Sequence, residues 1–591
     1  MIYNDFGNPQ VAALPKHLRQ YIVDQHYERY TPVDHAVWRY VMRQNYSYLK
    51  HVAYYPYIKG LERAGLNIEY IPDLQTMNNS LAEIGWGAVA VDGFIPPAVF
   101  MEFQEYKVLV IAADIRQLKH IEYTPTPDII HESAGHAPII ADPDYNNYLS
   151  YFGAIGAKAM FSSRDYDLYE AIRKLSVLKE LPDSKEEAIQ QAEAHLDNCF
   201  KNLGEPSEMA LLSRLHWWSV EYGLTGTLEN PKIYGAGLLS SIGESVTCMQ
   251  PEVKKLWYNI DTAKYAYDIT KAQPQLFVTP TFQNLIDVLE AFADTMAFRR
   301  GGLEGLLKAI DSRNVATVVY SSGLQVSGIF SEVKYNDHNE VIFLKTKSAT
   351  SLSYKEKRLE GQGKDYHKDG FSSPAGKLKN QEKPLEDFDE TELKAIGVFA
   401  GSPALLAFEG GIEVSGKVIS VVKKENKNLV ISFTDCTVIN TATNEIYFQP
   451  EWGVYDMAVG EKIISVFNGY ADKDDYEIMF KANNDIPKIT YDKKTIALQR
   501  IYQQVRNVRQ QKESYDILPG CWEALRDEHS SDWLAPLEIL EILIRKNIFE
   551  DTANEIRLYL EAKAKQEKEF TKLIIDGLKL VKNSEIKLIA H

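Results

Sequence analysis

Residues 123–138, Y-T-P-T-P-D-I-I-H-E-S-A-G-H-A-P, hold the side chains best suited to chemistry. His131 and His136 stand five positions apart, with Glu132 beside the first. Neutral imidazole is a ligand for iron, zinc, copper and nickel. The order H-E-x-x-x-H differs by one residue from the zinc-protease pattern H-E-x-x-H. Four residues of an α-helix turn about 400° and bring two rings to one face, whereas five turn about 500° and leave them roughly 140° apart. A shared ion therefore requires the helix to be distorted or to end at the second histidine. Gly135 and Pro138 would permit either. Two unrelated histidines near a helix end are the alternative.

Glu221 is the candidate third ligand. It falls in the last turn of a helix that begins after Pro206 and stops at Gly223, on the same face as Trp217. A carboxylate at a helix C-terminus opposes the macrodipole at a cost of a few tenths of a kcal/mol, roughly, which a bound cation would offset. Its neighbours Trp217, Trp218, Val220 and Tyr222 are too apolar for a fully wetted surface. Residues 234–244, Y-G-A-G-L-L-S-S-I-G-E, contain G-x-G but no third glycine, and no convincing strand precedes them. They do not support a dinucleotide site, and a tight turn explains the glycines equally well.

The elements that must position these residues are mostly helical. Residues 12–65 read as helices, one of them starting with Thr31 as N-cap and Pro32 at its first position. A helix is expected over 72–84, a strand over 85–91, a helix opening at residues 95–100 and a strand over 108–112. From 147 to 310 the pattern is mostly helix, with Ser184 and Glu187 as a capping box and Gly204 as a stop. His26, His35 and His51 fall singly on helical stretches and read as surface or satisfied core residues.

Composition sets the class. A chain of 591 residues is too long for one ordinary domain and implies about two to four. Sixty-five basic against 82 acidic residues give a net charge of −17, which argues against nucleic acid or an anionic membrane as the main partner. The four cysteines form no C-x-x-C pair, so neither a disulfide framework nor a cysteine zinc site is expected, and a reducing, cytoplasmic setting is the default. There is no apolar leader and no run long enough to span a membrane.

Taken together, residues 93–97 (G-F-I-P-P), 123–138, 216–224 (H-W-W-S-V-E-Y-G-L) and 234–244 resemble the pterin-dependent aromatic amino acid hydroxylases, in that family's order and spacing across residues 20–300. The resemblance implies a mainly α catalytic domain. It implies that His131, His136 and Glu221 are iron ligands, a two-histidine, one-carboxylate facial triad. It implies that Ile95, Phe100 and Glu132 face the pterin. Arg116 would pair with the substrate carboxylate, with Asp128 orienting it and Thr124, Pro127 and Trp217 lining the pocket. Gly237, Ser240 and Glu244 would support the carboxylate end and the first histidine. Fe(2+), a tetrahydropterin and O2 are the implied cofactor and co-substrates, and an aromatic amino acid the small-molecule partner. His216 stands where animal members often carry tyrosine, and Val110 where they carry a histidine. No regulatory domain precedes the core in this sequence, so control by one is not expected.

The second half reads differently. Residues 323–328, G-L-Q-V-S-G, match 411–416, G-I-E-V-S-G, at an offset of 88, and the match continues through a polar turn in each copy. Two such copies would form a small sandwich or barrel, because one hairpin cannot bury its own apolar face. Residues 346–393 are polar and read as a long loop or linker. From about 492 the chain is helical, with an apolar stripe read as core and a homo-oligomer through this half as a further option. The expected division is a catalytic domain over 1–310, a β-rich duplicated domain over 311–485 and a helical region over 486–591.

The reading is a monooxygenase converting L-phenylalanine to L-tyrosine. Tryptophan or tyrosine hydroxylation is the nearest alternative. A zinc hydrolase with Glu132 as base and a binding or scaffold protein with a vestigial metal site are readings from other classes.

Overall fold

Thr31 and Pro32 open the first long helix, Pro32–Val52. The Thr31 hydroxyl accepts from the Asp34 amide and the Asp34 carboxylate accepts from the Thr31 amide, closing a capping box. The computed structural model describes residues 5–54, 57–91, 95–122, 127–180, 185–268, 271–477 and 491–582. Gly87–Val91 and Val108–Ala112 pair in parallel. Parallel pairing needs a crossover, and the Pro97–Glu105 helix supplies it. All five residues of Gly87–Val91 are buried, which accounts for their nearly unbroken apolar run. The crossover helix packs on Pro143–Gly156 with little clearance. A Cβ on Gly153 would stand 2.5 Å from the Met101 carbonyl oxygen.

Residues 147–310 are mostly helical, as expected, with one addition. They contain a four-stranded sheet in the order Pro231–Ile233, Leu224–Gly226, Gln275–Thr279, Lys254–Trp257. Strands of three to five residues are too short for a two-residue period to register in sequence. The proposed cap Ser184 lies outside the described residues. The helix begins at Glu186, preceded by Lys185 without a side-chain cap, and Gly204 follows it with a φ of 66°.

The second half is β-rich from Ala316–Tyr320 to Ile463–Asn468. One five-stranded sheet runs Lys357–Arg358, Ser351–Tyr354, Leu324–Gly328, Ala316–Tyr320, Ile463–Asn468. A second is built on the long hairpin of Ile412–Lys424 and Lys427–Asn440, flanked by Pro403–Ala407 and Ile446–Phe448. A three-stranded sheet joins Phe330–Tyr335, Val341–Thr346 and Ser372–Pro374. The polar stretch 346–393 is therefore not a linker. It contributes strands to two sheets and a helix, Glu390–Ala395, closed by an Asp389 capping box. Its polar side chains make caps and buried bonds, such as His367 to Gln362 at 2.7 Å and Ser351 to Asp475 at 2.5 Å.

Five helices, Lys493–Arg509, Leu518–Glu528, Leu534–Lys546, Glu550–Gln566 and Thr571–Lys582, end the described chain. They share one hydrophobic core with the N-terminal half, in which Trp38, Tyr40 and Val41 join Trp533, Leu537, Leu540 and Leu573. Charge crosses the same boundary. Arg39 reaches Glu538 and Glu541 at 2.6 and 2.7 Å, and Arg43 reaches Glu541 at 2.5 Å. Among the described residues no helix is long and apolar enough to cross a membrane.

Candidate metal centre

His131 and His136 lie on a π-helical segment, Ile130–His136, that runs directly into the α-helical Ala137–Ile140. Bonds from i to i+5 set residues five apart nearly one above the other. This resolves the spacing without ending the helix at His136. Gly135 serves differently from expectation: a Cβ there would stand 2.6 Å from the Ala236 carbonyl oxygen. The missing side chain lets the Ala236–Ser240 helix approach. Glu221 ends a second π-helical segment, Trp217–Glu221, closed by the Tyr222 amide donating to the Trp217 carbonyl at 2.8 Å.

These segments bring the three side chains together. His131 Nε2 and His136 Nε2 are 3.2 Å apart. Glu221 Oε2 is 3.3 Å from the first and Oε1 is 3.3 Å from the second. Each ring nitrogen thus faces its own oxygen of one carboxylate, and with one ligand atom from each residue all three lie within 4.8 Å, close enough to share one cation. The protons agree. Ser240 Oγ lies 3.3 Å from the Gly237 carbonyl, to which it donates, so it accepts from His131 Nδ1 at 3.1 Å. That bond leaves the Nε2 lone pair facing a carboxylate, an arrangement that a cation stabilises. Burial pushes the Glu221 carboxyl up, but His136 and then His131 pull it well below the usual range, so it is ionised.

Glu132 is buried, 3.8 Å from His136 Nε2, with Oε2 lacking a hydrogen-bond partner. Burial pushes its carboxyl up to about 8, against the pull of His136 and with Glu221 and Asp128 adding to the rise. Arg116 and Asp128 form a buried fork, Nε to Oδ2 and Nη2 to Oδ1, both at 2.8 Å. Asp128 Oδ1 also accepts from the His131 amide at 3.0 Å. Among the described residues, Arg116 Nη1 makes long contacts, 3.4 Å to the Ser240 carbonyl and 3.5 Å to that of Ile121. Ser240 thus touches both the first histidine and the arginine.

The remaining expected residues divide. Trp217 stacks on Tyr222 at 4.7 Å and on Tyr267 at 4.4 Å. Glu244 does not reach His131; it accepts from the Tyr222 hydroxyl at 2.7 Å and so acts behind Trp217. Phe100 meets the His216 ring edge-on at 5.7 Å, and Gln104 Nε2 lies 3.4 Å from His216 Nε2. Burial pushes the His216 imidazole down to about 4, so it is neutral. Ile95 packs beside Phe100 against a small core that includes Val89, Phe103 and Val110. Pro127 is exposed, and Thr124 lies outside the described residues, as do residues 93 and 94 of the G-F-I-P-P motif.

Sequence reasoning missed Asn45, whose Nδ2 donates to the Leu239 carbonyl at 3.0 Å, one residue before Ser240. It also missed Tyr267. Neither carries a local signal, because both act across the fold.

A sequence model of the biopterin-dependent aromatic amino acid hydroxylases matches residues 20–170 and 192–300, a span that holds all of these residues. Residues 20–300 belong to this family. Among relatives of this hydroxylase half, phenylalanine-4-hydroxylase of Chromobacterium violaceum is 28% identical over 290 residues, 46% of this chain and 83% of the relative. That of Pseudomonas aeruginosa is 27% identical over 269 residues, 45% of this chain and 86% of the relative. A crystal structure of the Chromobacterium enzyme with iron(III) and 7,8-dihydrobiopterin aligns with 25% identity and a TM-score of 0.38, over 50% of this chain and 92% of that one. The C-terminal extension is unmatched.

Proposed function

We propose that this protein hydroxylates an aromatic amino acid, L-phenylalanine to L-tyrosine, using ferrous iron, a tetrahydropterin and O2. The observation that carries the reading is the convergence of His131, His136 and Glu221, whose ligand atoms all lie within 4.8 Å of one another, inside the family-matched span. The relatives' shared name, phenylalanine-4-hydroxylase, supports the choice of substrate.

Iron and the reduced pterin, with O2, supply the oxidant that places a hydroxyl on the ring. The chain's own residues hold and orient. His131, His136 and Glu221 would hold the ion. Ser240 fixes the His131 tautomer so that Nε2 presents its lone pair. Asp128 takes two donors of Arg116 and turns Nη1, with its weak contacts, toward a substrate carboxylate. Trp217 is stacked on two tyrosines, so its edge is the part offered to a substrate ring. Phe100 and Ile95, on and just before the Pro97–Glu105 helix, would hold the pterin together with Glu132. The family resemblance assigns Thr124 and Pro127 to the amino acid pocket. The buried surroundings of Glu132 and Glu221 exclude water, which strengthens each of these charged contacts.

Two copies of one β-module are proposed for the middle of the chain. In the first copy the strand breaks after Gly328, and its halves enter different sheets. In the second the strand Ile412–Lys424 continues but shifts register between Ser415 and Lys417, at the matching glycine, Gly416. The proposed units remain 1–310, 311–485 and 486–591.

The test is anaerobic loading with iron(II), then tetrahydropterin, air and each of the three aromatic amino acids in turn, with products read by mass. The expected outcome is tyrosine from phenylalanine, at a rate above the other two conversions. No hydroxylated product from any of the three would overturn the reading.

A further inference from the structure

The β-rich half touches the hydroxylase half through a buried charge. Glu102, on the Pro97–Glu105 helix, is 5% exposed. Its Oε2 lies 2.9 Å from His17 Nε2, and its Oε1 lies 2.8 Å from the Nζ of Lys473. Lys473 comes from the far side of the sequence, in the turn Lys473–Asp475 that follows the last strand of the β-rich half. Next to it, Tyr476 stacks on the His17 ring at 4.1 Å and 15°. A carboxylate, an imidazole, an ammonium and a phenol from three distant segments therefore meet at the back of one helix.

The turn that carries Lys473 is rigid. The Asp472 carboxylate accepts from the Asp474 amide at 3.1 Å and from the Arg358 amide at 2.8 Å. The Asp475 carboxylate accepts from the Ser351 hydroxyl at 2.5 Å and from Arg358 Nη1 at 2.8 Å. Arg358 and Ser351 both belong to strands of the first five-stranded sheet. The ammonium is thus referenced to the β-sheet and not to a loose tip. On the helix side, Phe100 and Gln104 flank Glu102, and both contact His216. A shift of Glu102 along or about the helix axis moves Phe100 with it.

We infer that Lys473 is a positioning residue for the pterin: through Glu102 it fixes the Pro97–Glu105 helix and so sets where Phe100 meets the pterin ring. This rests on the proposed pterin role of Phe100. It gives the β-rich half, which has no counterpart in the family match, a part in the cofactor site. Without the ammonium the buried carboxylate keeps His17 alone, and one of the two contacts that tether the helix there is lost. Displacements near 1 Å in such a site carry large effects on binding and rate.

The test uses the full chain loaded with iron(II). Binding of 7,8-dihydrobiopterin, which does not turn over, is measured by titration calorimetry for wild type, Lys473→Met and Lys473→Arg. Lys473→Met is expected to weaken pterin binding about tenfold, equivalent to about 1.4 kcal/mol. Lys473→Arg is expected to recover most of that loss. In turnover the KM for pterin should rise in Lys473→Met while the KM for phenylalanine and the iron content stay within about twofold of wild type. Amide exchange over residues 97–105 should quicken in the same variant, a readout that needs only folded protein. Should Lys473→Met fail to fold, Lys473→Arg and Glu102→Gln take its place, and wild-type pterin affinity in Glu102→Gln would overturn the inference. So would unchanged affinity and unchanged exchange in Lys473→Met. If wild type itself binds no pterin, the functional reading falls and this inference falls with it; wild-type binding beside an indifferent Lys473→Met removes this inference alone.

Discussion

Glu221 and Arg116 have different proposed roles, and removing each should fail differently. Glu221 is the negatively charged member of the metal triad. Glu221→Ala leaves two neutral imidazoles, which hold a divalent ion far less well without the carboxylate. Iron retained after desalting is expected to fall from near one per chain to near background, with turnover lost in parallel; near-normal iron would remove Glu221 from the ligand set. Arg116→Ala removes the proposed partner of a substrate carboxylate and leaves Asp128 buried without its guanidinium. A charge-assisted hydrogen bond of this kind is worth about 1.5–3 kcal/mol. The KM for the amino acid should therefore rise by roughly ten- to a hundredfold or slightly more, while that for pterin changes little. A rise confined to pterin would reverse the assignment.

At the scale of elements, the site depends on two π-helical turns and the close approach between them. Gly135 allows that approach, so Gly135→Ala should push the Ala236–Ser240 helix away from the histidine segment. A Cβ 2.6 Å from a backbone oxygen cannot be accommodated by a side-chain rotation. Overpacking of this type costs about 1–3 kcal/mol. The His131–Ser240 contact should loosen, iron affinity should drop, and the melting temperature should fall by several degrees, roughly. A wild-type melt together with wild-type iron content would show that the approach is not needed. The same segment shows where sequence reasoning reaches and where it stops. The Thr31 cap, the two strands near 85–91 and 108–112 and the stop at Gly204 were legible because each is written in a few adjacent residues, whereas the parallel pairing of those strands was not. The five-residue spacing announced that an ordinary helix could not serve. It did not announce a π turn, whose poorer bonding is held by packing from elsewhere. Likewise the sheet within 224–279 and the ordered polar stretch 346–393 depend on distant partners that no local pattern names. The neighbour of Glu244 was not legible either, because Tyr222 comes close to it only in the fold.

At the scale of the molecule, the helical end of the chain is part of the hydroxylase half's core. Its charged contact with that half should respond to pH. Burial pushes the Glu541 carboxyl up, but Arg39, Arg509 and Arg43 overcome this and hold it well below its ordinary 4.5. A carboxyl depressed in the folded state contributes stability that is fully present above the unfolded value and lost as pH falls through the folded one. Stability should therefore be flat from pH 7 down to about 5 on this account, then decline in more acid solution. Glu541→Gln, which breaks a buried pair, should cost about 3–5 kcal/mol at neutral pH and flatten the acid decline. A variant whose melting curves fall with acid as steeply as wild type would show that Glu541 is not the group responsible.

Removing the five terminal helices altogether tests the same unity without touching any residue of the site. In a chain ending at residue 477, Tyr40 loses the Trp533 ring at 5.1 Å and the Leu573 carbonyl that its hydroxyl donates to at 2.6 Å. Arg39 and Arg43 lose Glu538 and Glu541. Leu537, Leu540 and Leu543 vanish from the core that Trp38 and Val41 share with them. Each fully buried side chain of this kind contributes about 1.5–3 kcal/mol, whereas a whole domain is stable by only about 5–15 kcal/mol. A few such losses consume the margin. The shortened chain is therefore expected to bind a hydrophobic dye, to aggregate on warming and to lose iron, although His131, His136, Glu221 and Arg116 are all retained. A soluble product with wild-type iron content would show that the hydroxylase half is stable by itself, and that the shared core is a docked surface.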